Sequence, residues 1–386
     1  MFAKRTNWNL APNALAEALA KHRAAGKPLI DLTVSNPTEC GFTYESAVIL
    51  EALWNAAVLR YEPNARGLEG AREAVVRYYA DRGDRVAVDD MVLTTSTSEA
   101  YSFVFRLLCD AGDDVLVPAP SYPLLGFLAD IEDLSLVRYP LFYDHGWYID
   151  MHELERAITP LTRAVVVVHP NNPTGNYCRP SEMQRLGEIC AERGLAIIAD
   201  EVFLDFALDG VRRPSFVGSA EALTFTMSGI SKICGLPQMK VAWLVMSGPA
   251  ALKSEALARL EVVADTYLSM NAPVQLALGA LLGTRHGFQS QLLRRVRANL
   301  AQLDRQAVAG SACERLVTEG GWYAVVRFPR QGQLDQSQVD HEMKRFLGRG
   351  VLAHPGHFYD FPADGEVVLS LLAGESDFAS GLAALL

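Results

Sequence analysis

The chain has 386 residues, half of them hydrophobic and 21% charged, with a formal net charge of −10. That length buries a large core and suits two domains, while the acidic balance excludes a surface built for nucleic-acid phosphates, which needs clustered basic residues. No apolar run reaches the length of a membrane span, the N-terminus MFAKRTNWNL carries no apolar signal segment, and the six cysteines are scattered without CxxC spacing, so a cytoplasmic protein with reduced thiols and no metal site is expected.

In chain order, residues 10–25 carry Leu and Ala at helical spacing, with Gly26 just past the end. PLIDLTV (28–34) reads as a strand, and SNPTECGF (35–42) as a turn-rich crossing segment. A helix over about 45–57 leads to a loop carrying Tyr61, Pro63, Asn64 and Gly67, which feeds a second helix bearing Leu68, Ala71, Val75 and Tyr79. Residues 91–113 are a strand, a hydroxyl-rich turn (Ser96, Thr97, Ser98) and a helix. Free amides and the positive end of the helix dipole suit that turn to a phosphate; an ordinary Ser/Thr cap with Glu99 in the first turn is the plainer alternative.

DVLVPAPSYPLL (114–125) is a strand followed by a Pro-punctuated loop with Tyr122. Residues 162–180 are an undivided apolar run ending in Asn171-Asn172-Pro173-Thr174-Gly175, as expected of a strand buried on both faces of a parallel sheet. A helix at 181–194 leads to a buried strand over 195–208 containing Asp200-Glu201. The run TFTMSGISKICGLPQMKVAW (224–243) then places Lys232 just past a strand among small residues, with Lys240 eight positions on. Such a lysine suits an imine-forming amine, and Lys240 a phosphate.

Strands alternating with helices over 90–250 predict an α/β fold with a mainly parallel sheet, whose ligands bind beyond the carboxyl ends of the strands. The Ser96 turn, Tyr122, Asn172, Asp200 and Lys232 all fall there. Residues 250–307 are helical in pattern, with a long stretch from about 273. Strands at 320–329 and 366–373 and a helix at about 336–348 predict a smaller α+β domain. The expected division is an N-terminal arm with part of the small domain (1–35), a large domain (36–275) and a small C-terminal domain (276–386).

Taken together, SNPT, YEPNARGLEGAREAV, TTSTSEA, PSYPLL, NNPTG, ADEVF, SGISKICGLPQMKVAW and the PG of AHPGHF resemble, in order and spacing, the fold-type I pyridoxal-phosphate (PLP) enzymes, specifically class I/II aminotransferases. The resemblance implies PLP as cofactor, a homodimer with shared sites, and an amino donor and keto acid as substrates. It implies that Lys232 forms the imine with the cofactor and moves the proton. It puts Asp200 against the pyridine nitrogen, Asn172 on the 3′ oxygen and Tyr122 on the ring face. Ser96, Thr97, Ser231 and Lys240 hold the phosphate, with Tyr61 from the neighbouring subunit and Ser228 as a further contact.

Three positions depart from the family pattern. Phe203 stands where the family has a tyrosine, and Lys240 where it has an arginine. Val368, in Val-Leu-Ser, stands where the family has the arginine that clamps the substrate carboxylate. Either another residue binds that group, with His357 and Tyr359 the candidates, or the substrate lacks a conventional carboxylate. A PLP lyase or racemase, and a catalytically retired PLP-fold binding protein, are the alternative readings.

Overall fold

The computed structural model describes residues 1–268, 270–308, 313–328, 343–361 and 365–386. Fourteen strands can be numbered in chain order among them: β1 (Ile30–Asp31), β2 (Met91–Thr94), β3 (Asp114–Ala119), β4 (Ser135–Tyr143), β5 (Trp147–Ile149), β6 (Thr162–Val168), β7 (Ala196–Asp200), β8 (Thr224–Gly229), β9 (Ala242–Ser247), β10 (Glu314–Arg315), β11 (Tyr323–Arg327), β12 (Val351–Leu352), β13 (His354–Pro355) and β14 (Glu366–Ser370).

Strands β2–β9 build one eight-stranded sheet in the order β2-β9-β8-β7-β6-β3-β4-β5. The inner pairs β8/β7, β7/β6, β6/β3 and β3/β4 are parallel; β2, β9 and β5 join antiparallel. The apolar runs of β6 and β7 divide by strand alternation between two cores. Val165, Val167, Ile197 and Ala199 enter one; Ala164, Val166, Val168 and Ile198 enter the other. Both faces are covered, which is why these runs show no polar alternation. Ile198 is fully buried, and truncating it to Ala would cost about 2–5 kcal/mol.

A second, antiparallel sheet has the order β10-β11-β14-β13, and β1 pairs in parallel with β12. The expected strand at 28–34 thus shortens to two residues, whose partner lies more than three hundred positions away. The strand expected over 195–208 ends at Asp200, and the chain turns while its apolar residues continue inward, Phe206 packing on Trp322 at 5.7 Å. The helical region after 250 is Ala250–Tyr267, Ala272–Gly283 and Arg285–Val308 rather than one long stretch. Asn271 caps the second of these with its side chain, and Pro273 sits in its first turn. Of the helix expected near 336–348, residues 343–348 are helical and the rest lie outside the described residues.

Candidate active site

The parallel strands all deliver their carboxyl ends to one side, and a cleft of about 580 Å³ opens there. Asp200 is the last residue of β7, Asn172 follows β6 by four positions, and Lys232 lies in the short helix Ile230–Ile233 after β8. Ser96 follows β2 and caps the helix Thr97–Leu108, its side chain accepting from the Glu99 amide at 3.1 Å. The Glu99 carboxylate reaches back to the Thr95 amide at 2.7 Å, so cap and cradle are the same turn. Ser96, Thr97, Tyr122, Asn172, Asp200, Ser231, Lys232, Lys240 and Tyr359 all line this cleft, and Tyr122 is left half-exposed in it.

The Asn172 loop is held by a hydrogen-bond chain that its sequence supplies. Asn171 donates to the Pro120 carbonyl at 3.1 Å and to the Thr174 hydroxyl at 2.7 Å; Thr174 in turn donates to Asn176 at 2.5 Å. Gly175 takes φ +74°, and a Cβ there would lie 2.7 Å from the Gly320 carbonyl, so no other residue fits the turn. Buried His169 braces the same loop, with Nε2 3.0 Å from the Pro214 carbonyl and Nδ1 accepting from the Cys178 amide. Burial lowers its pKa to about 4, which keeps it neutral.

Burial raises the Asp200 carboxyl to about 6, against the pull of its hydrogen bonds from the Val202 amide and the Tyr101 hydroxyl, each at 3.2 Å, and of Lys232. Lys232 is shifted the other way: burial lowers its amine, and Asp200 only partly compensates. Its Nζ lies 4.9 Å from the Trp322 ring centroid and 5.7 Å from that of Phe203, two rings packed edge-to-face at 4.7 Å. Desolvation between aromatic walls shifts the amine toward its unprotonated, nucleophilic form. Asn172 is buried, and its side-chain oxygen has no hydrogen-bond partner.

Three expected positions fall elsewhere, and Tyr61, expected to act from the neighbouring subunit, lies away from the cleft of its own chain. Tyr61 is 77% exposed and lines a separate groove with Leu68, Gln275 and Leu276. Ser228 is buried within β8, its hydroxyl 3.4 Å from the Glu201 carbonyl. His357 packs edge-on against Phe358 at 4.8 Å, and neither it nor Val368 is among the residues lining the cleft. Val368 is 1% exposed, in β14 between Val325 of β11 and His354 of β13. Residues not singled out from the sequence do line the cleft: Tyr101, Tyr323, His354 and Phe358. Tyr101 was within reach of pattern reasoning, because it stands four positions after Thr97 on one helix face.

This arrangement can be set beside known proteins. The family model for aminotransferase class I and II matches residues 27–331. The chain belongs to that family. Its members use pyridoxal 5′-phosphate and form an enzyme class. The glutamate-pyruvate aminotransferase AlaA of Escherichia coli (strain K12) is 30% identical over 267 residues, 69% of this chain and 65% of that protein's own length. The alanine aminotransferase of Mycobacterium bovis is 27% identical over 376 residues, 94% of this chain and 86% of the relative. Among solved structures, the alanine aminotransferase from Pyrococcus furiosus superposes with a TM-score of 0.86 at 21% identity, covering 99% of this chain and 98% of that one. The fold is that of the fold-type I PLP transferases, as the order of motifs implies. No helix among the described residues is long and apolar enough to cross a membrane.

Proposed function

We propose that this family member is a working aminotransferase that moves an amino group between an amino acid and a 2-oxo acid, with alanine–pyruvate and glutamate–2-oxoglutarate as the first pairs to try. The observation that carries the reading is the convergence of Lys232, Asp200 and Asn172 on one cleft from three separate strand ends. The named activities of the E. coli and mycobacterial relatives support the choice of pairs.

The residues fit the family's cofactor. The unpartnered side-chain oxygen of buried Asn172 marks an amide without its full complement of hydrogen bonds, and its amide NH₂ suits a phenolate oxygen. Asp200 is a partly buried acid, with Tyr101 and the Val202 amide favouring its ionised form, suited to a protonated pyridine nitrogen. The Ser96–Thr97 helix start, Ser231 and Lys240 supply amides, hydroxyls and a cation for a phosphate. When bound, PLP supplies an electron sink for the substrate Cα.

The chain's own residues then do three things. Lys232 offers an amine shifted toward its neutral form, which would serve first as the attachment point and then as the base that takes the Cα proton and delivers it to C4′ of the cofactor. Asp200 holds charge opposite the ring nitrogen, in a site where burial makes that charge act over a short, poorly screened path. Tyr122 and the walls of Phe203 and Trp322 keep water from the reacting carbon.

A homodimer completes the reading. Trp54, Leu59, Tyr61, Tyr267 and Leu268 are all at least half exposed, and Tyr61 and Leu268 line one groove. Pairing there supports Tyr61 as the partner's contribution to the phosphate site. The separation of the two sheets supports a division into a large domain over 36–275 and a small one from 276, and the β1–β12 pairing supports joining the first 35 residues to the small one. A cytoplasmic location belongs to the same reading.

The test is reconstitution with PLP followed by addition of L-alanine or L-glutamate. The visible band should move to shorter wavelength, and a 2-oxo acid should restore it. A band that none of a panel of amino donors moves would sink the reading.

A further inference from the structure

We infer that His354 is the anchor for the substrate carboxylate, and so the residue that sets which amino compounds this chain accepts; the inference rests on the aminotransferase reading of the cleft. Among the described residues that line the cleft, three side chains can carry positive charge: Lys232, Lys240 and His354. Lys232 is committed to the chemistry, and Lys240 lies with Ser231 and the Ser96 turn on the side suited to a phosphate. Among the described residues, no arginine lines the cleft. Among the described residues, a carboxylate entering it therefore has one remaining cationic partner, His354.

The position of His354 is fixed by register. It opens β13 and pairs directly with Val368 of β14. Directly opposed residues of an antiparallel pair project from the same face, their Cβ atoms about 4.5–5.5 Å apart. Of these two, the valine is closed off and the imidazole borders the cleft. The ring is also held in place: its Nδ1 lies 3.0 Å from the Tyr359 hydroxyl, and Tyr359 is tied through its own carbonyl to the Ser121 amide at 2.8 Å. The phenol can donate to Nδ1 of the neutral ring or accept from it when protonated. In both of these states Nε2 carries the hydrogen left for a ligand, and a bound carboxylate selects them over the neutral Nδ1–H tautomer.

The charged groups around His354 give the binding a pH signature. Burial lowers its pKa, opposed by the Asp31 carboxylate on β1. The neighbouring phenols stay protonated across the useful range, since burial pushes Tyr323 up to about 12 and Tyr359 higher still. A bound carboxylate favours the imidazolium, so the pKa in the complex lies above that of the free protein. Affinity is then greatest at low pH, falls as pH rises from the free value to that of the complex, and levels off above it.

The experiment is calorimetric titration of the PLP-reconstituted protein with propionate and with propionamide, at pH 6 and pH 8. The wild type should bind propionate at least tenfold more tightly than propionamide at pH 6, and the preference should shrink at pH 8. His354→Ala should lose tenfold or more for propionate and leave propionamide within twofold. His354→Gln, which retains a donor and much of the packing, should bind propionate with intermediate strength and no pH dependence. Equal binding of the two probes by the wild type would overturn the inference and point to substrates without a free carboxylate. Wild-type propionate affinity in a folded His354→Ala or His354→Gln protein would overturn it as well. The half-reaction with L-alanine separates the two readings. A protein that binds propionate through His354 and yet converts no amino donor would refute the aminotransferase reading alone.

Discussion

The two walls of the cleft are built by different means. The wall carrying Asp200, Asn172, Lys232 and Ser96 is the carboxyl edge of a parallel sheet, and each residue sits within a few positions of the strand that aims it. The wall carrying Tyr323, His354 and Tyr359 belongs to the smaller antiparallel sheet and the turn beside it. There the neighbour of a residue is decided by pairing, so His354 meets Val368 fourteen positions on. On the proposed reading, the first wall would hold the cofactor that family members share. On the same reading, the second wall would face the substrate, and His354 is the cationic side chain it brings to the cleft among the described residues. A wall set by pairing can exchange one contact for another across a ladder without disturbing the strand ends opposite.

The sharpest break of the first wall is Lys232→Ala. Among the described residues the other amine lining the cleft, Lys240, is solvent-exposed, so the characteristic visible band of bound PLP should be lost. Turnover should fall by about 10⁴-fold or more. Far-ultraviolet circular dichroism should stay unchanged, because the side chain spans the space between two rings without supporting them. A variant that retained the band would place the attachment elsewhere.

Asp200→Ala comes next. Loss of one preorganised charge at a reacting centre is commonly worth about 3 kcal/mol or more, a rate loss beyond a hundredfold. Cofactor retention should weaken too, as measured by the PLP remaining after gel filtration. Rates near wild type would remove Asp200 from the chemistry.

That first wall was legible in the sequence because its signals are local. The apolar run ending in Asn-Asn-Pro-Thr-Gly, the Asp-Glu at a strand end and the Ser-Lys before Gly235 each name both the residue and the element that aims it. The second wall was less legible, because its arrangement depends on register. The Pro355-Gly356 turn drew attention forward to His357 and Tyr359, whereas the pairing of β13 with β14 puts the preceding His354 at the cleft and shuts Val368 inside. Strands β4 and β5 went unassigned for a related reason. Arg138 and Pro140 interrupt the apolar pattern of β4, whose burial is as mixed as its sequence. The short pairing of β1 likewise required a partner from the far end of the chain.

Tyr101→Phe probes the support behind the first wall with a smaller effect. The phenol donates to Asp200 at 3.2 Å, and a hydrogen bond to a charged group is worth about 1.5–3 kcal/mol. The folded-state pKa of Asp200 is raised to about 6 from 3.8, so the folded protein binds the extra proton. Its contribution to stability is therefore present below the unfolded value and is lost as pH climbs toward 6. Removing a donor that favours the ionised form pushes the pKa higher and deepens that loss. Thermal melts of the cofactor-free protein should show the variant destabilised more at pH 7 than at pH 4. Equal destabilisation at both would mean that Tyr101 acts through packing alone.

Phe203→Tyr carries the smallest expected effect, and it tests where the two walls meet. Phe203 lines the cleft and packs on Trp322, with Lys232 over both rings. The substitution adds a hydroxyl to a ring that is already placed, so the edge-to-face contact should survive. A phenol at this point can donate to an ionised oxygen on the bound cofactor, which the phenylalanine cannot. Donation to the charged form stabilises it and lowers the pH at which the visible band titrates. A shift of about one pH unit corresponds to about 1.4 kcal/mol, within the range of a single hydrogen bond to a charged group. The measurement is a spectrophotometric pH titration of the two reconstituted proteins, with the apparent pKa lower in the tyrosine variant. A titration that stayed in place, or moved to higher pH, would show that residue 203 is directed toward Trp322 and not toward the cofactor. Trp322, drawn from the segment before β11, would then be the contact through which the substrate wall reaches across to Lys232.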